Sequence, residues 1–304
     1  MASKAKRITY SESQLEQYYE RIALPTSRRL SSVTALNGKD QLDYLTVLLK
    51  HHVIRVPFEN LVQHYSWHRV INTDALHVFR KIMGQTGRGG YCMEANVLFH
   101  TVLLSLGFKC YTAQGRVRID DSWSPLGHLV NLVTIGNTKY LCAVGFGKNE
   151  PLQPIALEHG HMLSQIRPAQ SRLVYQTIDE FLSDSKVWIH RGRANEQAEW
   201  ETLYCFTDLE VMPSDIESLN YSPWIGRNSF FTRTETGAEH VEGHEIDGIL
   251  VMFNNQLTWT RNGKTLIEST FKSENERIEA LRRYWGIEID VVDHKAIEGT
   301  ITAI

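Results

Sequence analysis

The hydrophobic period of this chain changes at Gly107, and that change restricts it to folds in which a helical part precedes a sheet part. Before Gly107, apolar residues recur every three or four positions. Leu15, Tyr18, Tyr19 and Ile22 follow a Ser11…Gln14 capping box, and Leu42, Leu45, Leu48 and Leu49 follow Asp40. Leu76, Phe79 and Met83 form a third stripe, with Thr73 or Asp74 as its N-cap. Ala95, Leu98, Phe99, Val102 and Leu106 form a fourth, beginning near Gly90–Cys92 and ended by Gly107 in the left-handed C′ role. After Gly107 the segments read as strands. Leu129–Ile135 and Tyr140–Phe146 flank a Gly136-Asn137-Thr138 turn, and Arg172–Gln176 reads as another strand. Ile249–Phe253 and Gln256–Thr260 make a second hairpin, and Lys264–Glu268 follows the Arg261-Asn262-Gly263 turn. A Ser273…Glu276 box starts a last helix, with Ile278, Leu281 and Trp285 on one face and Gly286 closing it. The polar, Glu- and His-rich stretch Gly237–Gly248 reads as an exposed loop. Helices, then strands, then a mixture predict an α+β protein without internal repeats.

Composition narrows the function classes. A net charge of −3 gives no basic field for nucleic acid or anionic membranes. Seven Trp, twelve Tyr and eleven Phe in 304 residues argue for a packed core rather than disorder. No run approaches the roughly 18 apolar residues that a membrane span needs. The basic Met1–Arg7 stretch lacks a following apolar region, so no secretory signal is expected and a cytoplasmic protein is. Cys92, Cys110, Cys142 and Cys205 are too scattered for a disulfide framework or a zinc knuckle. His51-His52 and His159-x-His161 lack a third ligand at a sensible spacing, so no metal is expected.

The chemistry concentrates in Arg88-Gly89-Gly90-Tyr91-Cys92-Met93-Glu94. Two glycines let the backbone turn tightly into a helix, and Cys92 falls in its first turn. Unpaired N–H groups and the helix dipole there would lower the thiol pKa. A nearby imidazole would stabilise the thiolate further. Among the thirteen histidines, His128 stands out because Gly127 precedes it and an apolar strand follows. A cysteine at a helix start is more often a small buried residue than a nucleophile. No phosphate-binding G-x-x-x-x-G-K-[ST] motif is present.

Taken in order, Tyr19-Glu20-Arg21-Ile22, Val56-Pro57-Phe58-Glu59-Asn60-Leu61, Arg88-Gly89-Gly90-Tyr91-Cys92-Met93-Glu94, Gly127-His128-Leu129 and Val144-Gly145-Phe146-Gly147 resemble the arylamine N-acetyltransferases over nearly the whole chain. The resemblance implies a helical bundle over residues 1–108, an antiparallel β-barrel over 109–205 and a C-terminal α/β lid over 206–304, around a cysteine-protease-like Cys–His core. It implies transfer of an acetyl or other short acyl group from acyl-CoA to the nitrogen of arylamines or arylhydrazines, as in xenobiotic metabolism. It also implies ping-pong kinetics through an acyl-cysteine on Cys92, with His128 as base. A thiol hydrolase built on the same Cys–His core is the weaker alternative, because it leaves the full order of motifs unexplained.

One position departs from the family pattern. Ala143 stands where the resemblance places the triad aspartate that would orient the imidazole and stabilise its cation. Three explanations follow: an introduced substitution, a naturally silent member that binds acyl-CoA or arylamine, or a substitute carboxylate, with Asp120 and Asp121 in the loop before His128 as candidates. On the first two, activity is reduced or lost. The resemblance further implies that Phe58 and Phe146 line the aryl acceptor site. It implies that Gly127, bulkier in some relatives, leaves room for an acyl group such as propionyl or malonyl. For CoA it points to Tyr221, Arg227 and Ser229 ahead of a Phe230-Phe231 strand, and to Thr300 in the C-terminal tail. Ser222-Pro223-Trp224-Ile225-Gly226 departs from the Ser/Thr-rich pattern usual there. Arg88 and Glu59 are expected to form a structural ion pair beside the site.

Overall fold

Local caps set the helices of the first third. The computed structural model describes residues 7–226, 229–233, 236–242 and 246–304. Helix α1 (Glu12–Arg21) starts at the Ser11 capping box. Helix α2 (Gly38–Arg55) starts before its apolar stripe because Asn37 accepts from the Asp40 N–H at 3.0 Å. Strand β1 (Phe58–Glu59) follows. Asp74, rather than Thr73, caps α3 (Ala75–Gly84) by accepting from the Leu76 and His77 N–H groups. Helix α4 (Cys92–Ser105) ends at Gly107, which takes φ 87°. Tyr18, Tyr19, Leu45, Leu48, Leu49, Phe99 and Val102 form the shared core of these helices.

The middle of the chain is a nearly closed antiparallel barrel. Its strands are β2 (Lys109–Ile119), β3 (Ser122–Trp123), β4 (His128–Ile135), β5 (Thr138–Leu141), β6 (Ile155–Ala156), β7 (Met162–Ser164), β8 (Gln170–Gln176), β9 (Val187–Arg193) and β10 (Glu201–Glu210). They are ordered β6-β5-β4-β2-β10-β9-β8-β7, with β3 folded back onto β2. Val130, Leu132, Leu173, Tyr204 and Phe206 fill its interior. The strand expected to reach Phe146 stops at Leu141. Beyond it the backbone turns to other partners: the Val144 N–H is taken by Asn96 and the Phe146 N–H by Glu150. The Cys142 N–H still donates to the Asn131 carbonyl of β4, and the departure carries residues 143–146 out of the ladder and toward Cys92.

The last third adds α5 (Pro213–Ile225), α6 (Phe230–Arg233), strands β11 (Thr236–Glu242), β12 (Ile246–Phe253), β13 (Gln256–Arg261) and β14 (Lys264–Thr270), and α7 (Glu274–Trp285). Two expectations are corrected here. Phe230-Phe231 belongs to a helical turn, not a strand. The polar stretch from Gly237 is not simply a loop, because β11 pairs with β12 on one side and β1 on the other. The resulting sheet, β1-β11-β12-β13-β14, takes a strand from the first third of the chain. Leu250, Met252, Leu257, Leu281 and Trp285 pack with Leu61 and Tyr65, just beyond β1. Among the described residues, no helix is long and apolar enough to cross a membrane.

The strap around β1 is tied to the entry of α4 by a buried ion cluster. Phe58 and Gly90 form a parallel bridge, and the Glu59 N–H donates to the Gly90 carbonyl at 3.2 Å. The fully buried Glu59 carboxylate accepts from the Leu61 N–H at 2.7 Å and pairs with Arg88 at 3.0 Å and Lys81 at 3.4 Å. Lys81 also meets Glu94 at 2.9 Å. Burial alone would raise the Glu59 carboxyl, but Arg88 and Lys81 hold it at about 2. Glu94 shifts upward, because burial and the Glu59 charge outweigh its share of Lys81.

Replacing Glu59 by Gln leaves two buried cations facing a neutral amide, which costs about 3–5 kcal/mol at neutral pH. A carboxylate lowered from about 4.3 in the unfolded chain gives its full stabilisation above about pH 5 and loses it as pH falls toward its folded value. Urea unfolding of the native protein and Glu59→Gln should therefore show a gap that is widest near neutrality and narrows in acid.

Candidate active site

Cys92 opens α4, and Tyr91 at the N-cap position supplies no side-chain cap, so the first-turn N–H groups keep their positive end toward the thiol. That end does not decide the thiol's state. Cys92 is 3% exposed, and burial pushes it up to about 12 although neighbouring backbone N–H groups pull it down. The expectation of a lowered thiol pKa is corrected on this point: desolvation in the Tyr91, Met93, Val97 and Leu129 cluster outweighs the helix end.

His128 is the first residue of β4, opposite Gly115 on β2. Its ring lies against Phe146 at 5.3 Å and Tyr204 at 4.6 Å between centroids. Burial drives it down to about 3, and its Nε2 has no hydrogen-bond partner among the described residues. Cys92 meets the residue that immediately precedes His128. The Cys92 Sγ donates to the Gly127 carbonyl at 3.6 Å, and no hydrogen bond joins the thiol to the imidazole. The resting arrangement is a neutral thiol beside a neutral imidazole.

Asn96, one helical turn after Cys92, holds these pieces in register. Its Nδ2 donates to the Cys92 carbonyl at 3.1 Å and to the Leu129 carbonyl at 2.9 Å. Its Oδ1 accepts from Asn131 at 3.1 Å and from the Val144 N–H at 3.2 Å. Gly145 completes the contact: a Cβ there would lie 2.7 Å from the Cys92 Cα, so only glycine allows the segment to approach so closely.

Ala143 is fully buried and packs with Val130, Leu132, Leu141, Tyr204 and Phe206. Nothing at this position can charge or orient the imidazole. Asp120 and Asp121 do not substitute. They occupy the exposed turn between β2 and β3, with Asp120 at φ 52°. Three polar residues near the pair escaped the sequence reading. Glu150 is 3% exposed, and its Oε2 accepts from the Phe146 N–H. Burial pushes it up to about 8. Tyr204 and His190 are also buried, their rings tilted against one another at 4.8 Å between centroids.

Aromatic side chains flank the thiol. Phe58 lies against Gly147, where a Cβ would come within 3.1 Å of its ring, and Phe146 lies on His128. Phe231 of α6 contacts Phe58 at 5.9 Å and Tyr91 at 5.2 Å. Gly127 offers less room than expected, because a Cβ there would meet the Pro223 ring at 3.1 Å.

The residues singled out for CoA lie apart. Tyr221 stacks on Trp224 at 5.7 Å on α5, and Ser229 donates to the Pro223 carbonyl at 2.7 Å. Thr300 meets Thr302 at 3.1 Å in the C-terminal turn. Arg227 lies outside the described residues. A polar chain connects the two ends: Asn60 donates to the Phe231 carbonyl and to His64 Nε2, leaving His64 Nδ1–H to meet Thr302 at 2.9 Å. Separately, a cavity of about 560 Å³ between α4 and α5 is lined by Tyr221 and Trp224 but not by Cys92 or His128. The paired histidines are engaged elsewhere, His52 with Tyr18 and His159 with the Tyr175 N–H. No group of three metal-binding side chains occurs among the described residues.

A sequence model of a family described as N-acetyltransferase matches residues 41–294. An N-malonyltransferase, FDB2, of Fusarium pseudograminearum is 31% identical over 304 aligned residues, covering 90% of this chain and 88% of the relative. Arylamine N-acetyltransferase 1 of Oryctolagus cuniculus is 27% identical over 289 residues, covering 90% and 94%. The solved structure of the arylamine N-acetyltransferase from Mycobacterium abscessus is similar with a TM-score of 0.79, at 25% identity over 93% of each chain.

Asn96→Leu keeps the volume but strands the Leu129 carbonyl and the Val144 N–H, while the Asn131 amide keeps its bond to the Asn96 backbone carbonyl. Each orphaned buried group costs about 1–3 kcal/mol, so a loss of about 2 kcal/mol or more is expected in urea unfolding. A loss below about 1 kcal/mol would show that the amide is not the tie described here.

Proposed function

The chain belongs to the arylamine N-acetyltransferase family, and on that premise we propose that it transfers a short acyl group from acyl-CoA to an arylamine or arylhydrazine nitrogen through an acyl-cysteine on Cys92. The observation that carries this reading is the placement of Cys92 and His128 on two separate elements, locked together by Asn96 and Gly145.

With both groups neutral at rest, His128 takes the thiol proton as attack occurs rather than beforehand. Rotation of Sγ from the Gly127 carbonyl to the imidazole precedes this step, and catalytic hydrogen bonds often tighten only with substrate bound. The sulfur attacks the thioester carbonyl, the bond to CoA sulfur breaks, and the imidazolium returns its proton to the departing CoA thiolate. In the second half, the amine nitrogen attacks the acyl-cysteine while His128 accepts the amine proton. Breaking the C–S bond releases the Cys92 sulfur, which is reprotonated, and the amide leaves. The flat faces of Phe58 and Phe146 suit an aromatic acceptor. Burial around Cys92 keeps water from the thioester. Tyr221, Arg227, Ser229 and Thr300 are proposed for CoA.

The likeness to an N-malonyltransferase supports malonyl-CoA as a donor alongside acetyl-CoA. Ala143 removes the group that would stabilise the imidazolium, and in triads such a loss costs up to about 10⁴ in turnover. Its apolar packing is the observation that favours a second reading, a silent binder of acyl-CoA or arylamine.

Intact-mass analysis after exposure to acetyl-CoA or malonyl-CoA separates the two. A transferase gains one acyl group on the Cys92 peptide, loses it on addition of an arylamine, and gains none as Cys92→Ser. No adduct from either donor at long times would leave the silent binder.

A further inference from the structure

Behind the His128 ring lies a nest of buried polar atoms that the acyl-transfer steps leave unused. Glu150 Oε1, His128 Nε2, the Tyr204 hydroxyl and His190 Nδ1 are buried and lack hydrogen-bond partners among the described residues. They are neighbours. The Tyr204 ring contacts His128 at 4.6 Å, His190 at 4.8 Å and Phe146 at 4.8 Å. The Phe146 N–H donates to the other Glu150 oxygen, Oε2. Orphaned buried polar atoms are uncommon in native proteins, and a tyrosine hydroxyl with three more around it requires an explanation.

The turn that follows Ala143 provides one. Gly147 takes φ 70°, and the Glu150 N–H closes the turn on the Gly147 carbonyl at 3.1 Å. The chain thereby folds back and buries the Glu150 carboxyl against the Phe146 backbone, where its charge reaches Tyr204, the residue packed on His128. Other titratable groups around the nest are Cys92 from α4, His128 from β4, His190 from β9 and Tyr204 from β10. Among the described residues, no lysine, arginine or second carboxylate acts on Glu150, His128, His190 or Tyr204. His190 is occupied through Nε2 by Ser171 at 2.7 Å.

We infer that Glu150 is the positioning residue for His128, its carboxylate stabilising the imidazolium that forms when Cys92 gives up its proton. This rests on the acyl-cysteine reading above and supplies the charge that Ala143 cannot. Only a proton moves, from Sγ to the imidazole: Glu150 acts in its ionised form, which predominates above about pH 8, and the pair is discharged when the imidazolium protonates the departing sulfur. Burial makes either ion unfavourable alone, pushing Glu150 up to about 8 and His128 down to about 3. Together each offsets the other's penalty.

The sign of one substitution tests the assignment. Glu150→Gln preserves shape and still accepts the Phe146 N–H. A bystander carboxylate repels the Cys92 thiolate, so its removal would speed alkylation by iodoacetamide. If Glu150 serves His128, removal slows alkylation by about tenfold or more near pH 8, the equivalent of a shift of about one pKa unit. The rising limb of the alkylation profile attached to Glu150 ionisation also disappears. Nitrogen-15 spectra of histidine-labelled protein give a readout independent of thiol access: the His128 ring resonances shift as Glu150 ionises near pH 8 in the native protein and show no such step in the variant. Alkylation at an equal or faster rate, or native His128 resonances without that step, would overturn the assignment. Absence of an acyl adduct in native protein, with alkylation still slowed by Glu150→Gln, would sink the acyl-transfer reading while leaving the role of Glu150 standing.

Discussion

A single side-chain amide holds the parts of the site together. Asn96 projects from α4 into the seam between the helical core and the barrel, and it bonds the Cys92 carbonyl of its own helix, the Leu129 carbonyl and Asn131 on β4, and the Val144 N–H beyond β5. A neutral amide suits this place because it both donates and accepts in a fixed plane, whereas a carboxylate would only accept and a leucine would do neither. Satisfied polar groups in a low-dielectric seam specify one register, since any slip leaves them unpaired. The thiol and the imidazole inherit their spacing from that register.

The same burial that fixes the geometry sets the chemistry. A helix N-terminus favours a thiolate, and a neighbouring imidazole would favour it further, yet Cys92 and His128 both rest neutral because desolvation is larger than either effect. Charge has to be created during the reaction, and the environment supplies few groups to stabilise it. In the ion cluster around Glu59, two cations and two carboxylates lie within salt-bridge distance, and the charges are structural. Near Tyr204, which packs on His128, lies the buried acid Glu150, with one oxygen committed to the backbone and the other without a hydrogen-bond partner among the described residues. One buried carboxylate locks the helix entry, and the other is left with capacity to respond.

Much of the scaffold was legible because its signals are local. Ser11, Asp74, Gly107 and Gly286 act within one turn of their own helix, so sequence spacing locates the ends of those elements. Glycine and cysteine in Arg88–Glu94 likewise mark the start of α4. What stayed hidden depends on partners far along the chain. Gly237–Glu242 is polar enough to read as loop, and becomes a strand only because β1 and β12 lie on either side of it. Tyr140–Phe146 alternates like a strand, but Asn96 and Glu150 capture its later N–H groups. Asn96 was visible in principle as a polar residue among Ala95, Leu98 and Phe99 on a buried helix. Glu150 was not, since a lone glutamate after a glycine turn is ordinarily a solvated one.

The strap from Val56 to Leu61 shows how the third part of the chain is made to bear on the thiol. Glu59 fixes the strap to the entry of α4, Phe58 pairs with β11 and packs on Phe231, and Leu61 joins the core of the C-terminal sheet. Three neighbouring residues thus connect the helices, the lid strand and the lid helix in one short segment. Asn60, between them, holds the Phe231 carbonyl and, through His64, the C-terminal Thr302. The aromatic cover over Cys92 is consequently coupled to the tail proposed for CoA. Phe231 of the lid helix and Thr302 of the C-terminal turn are thus joined through one polar chain that runs across the strap by way of Asn60 and His64.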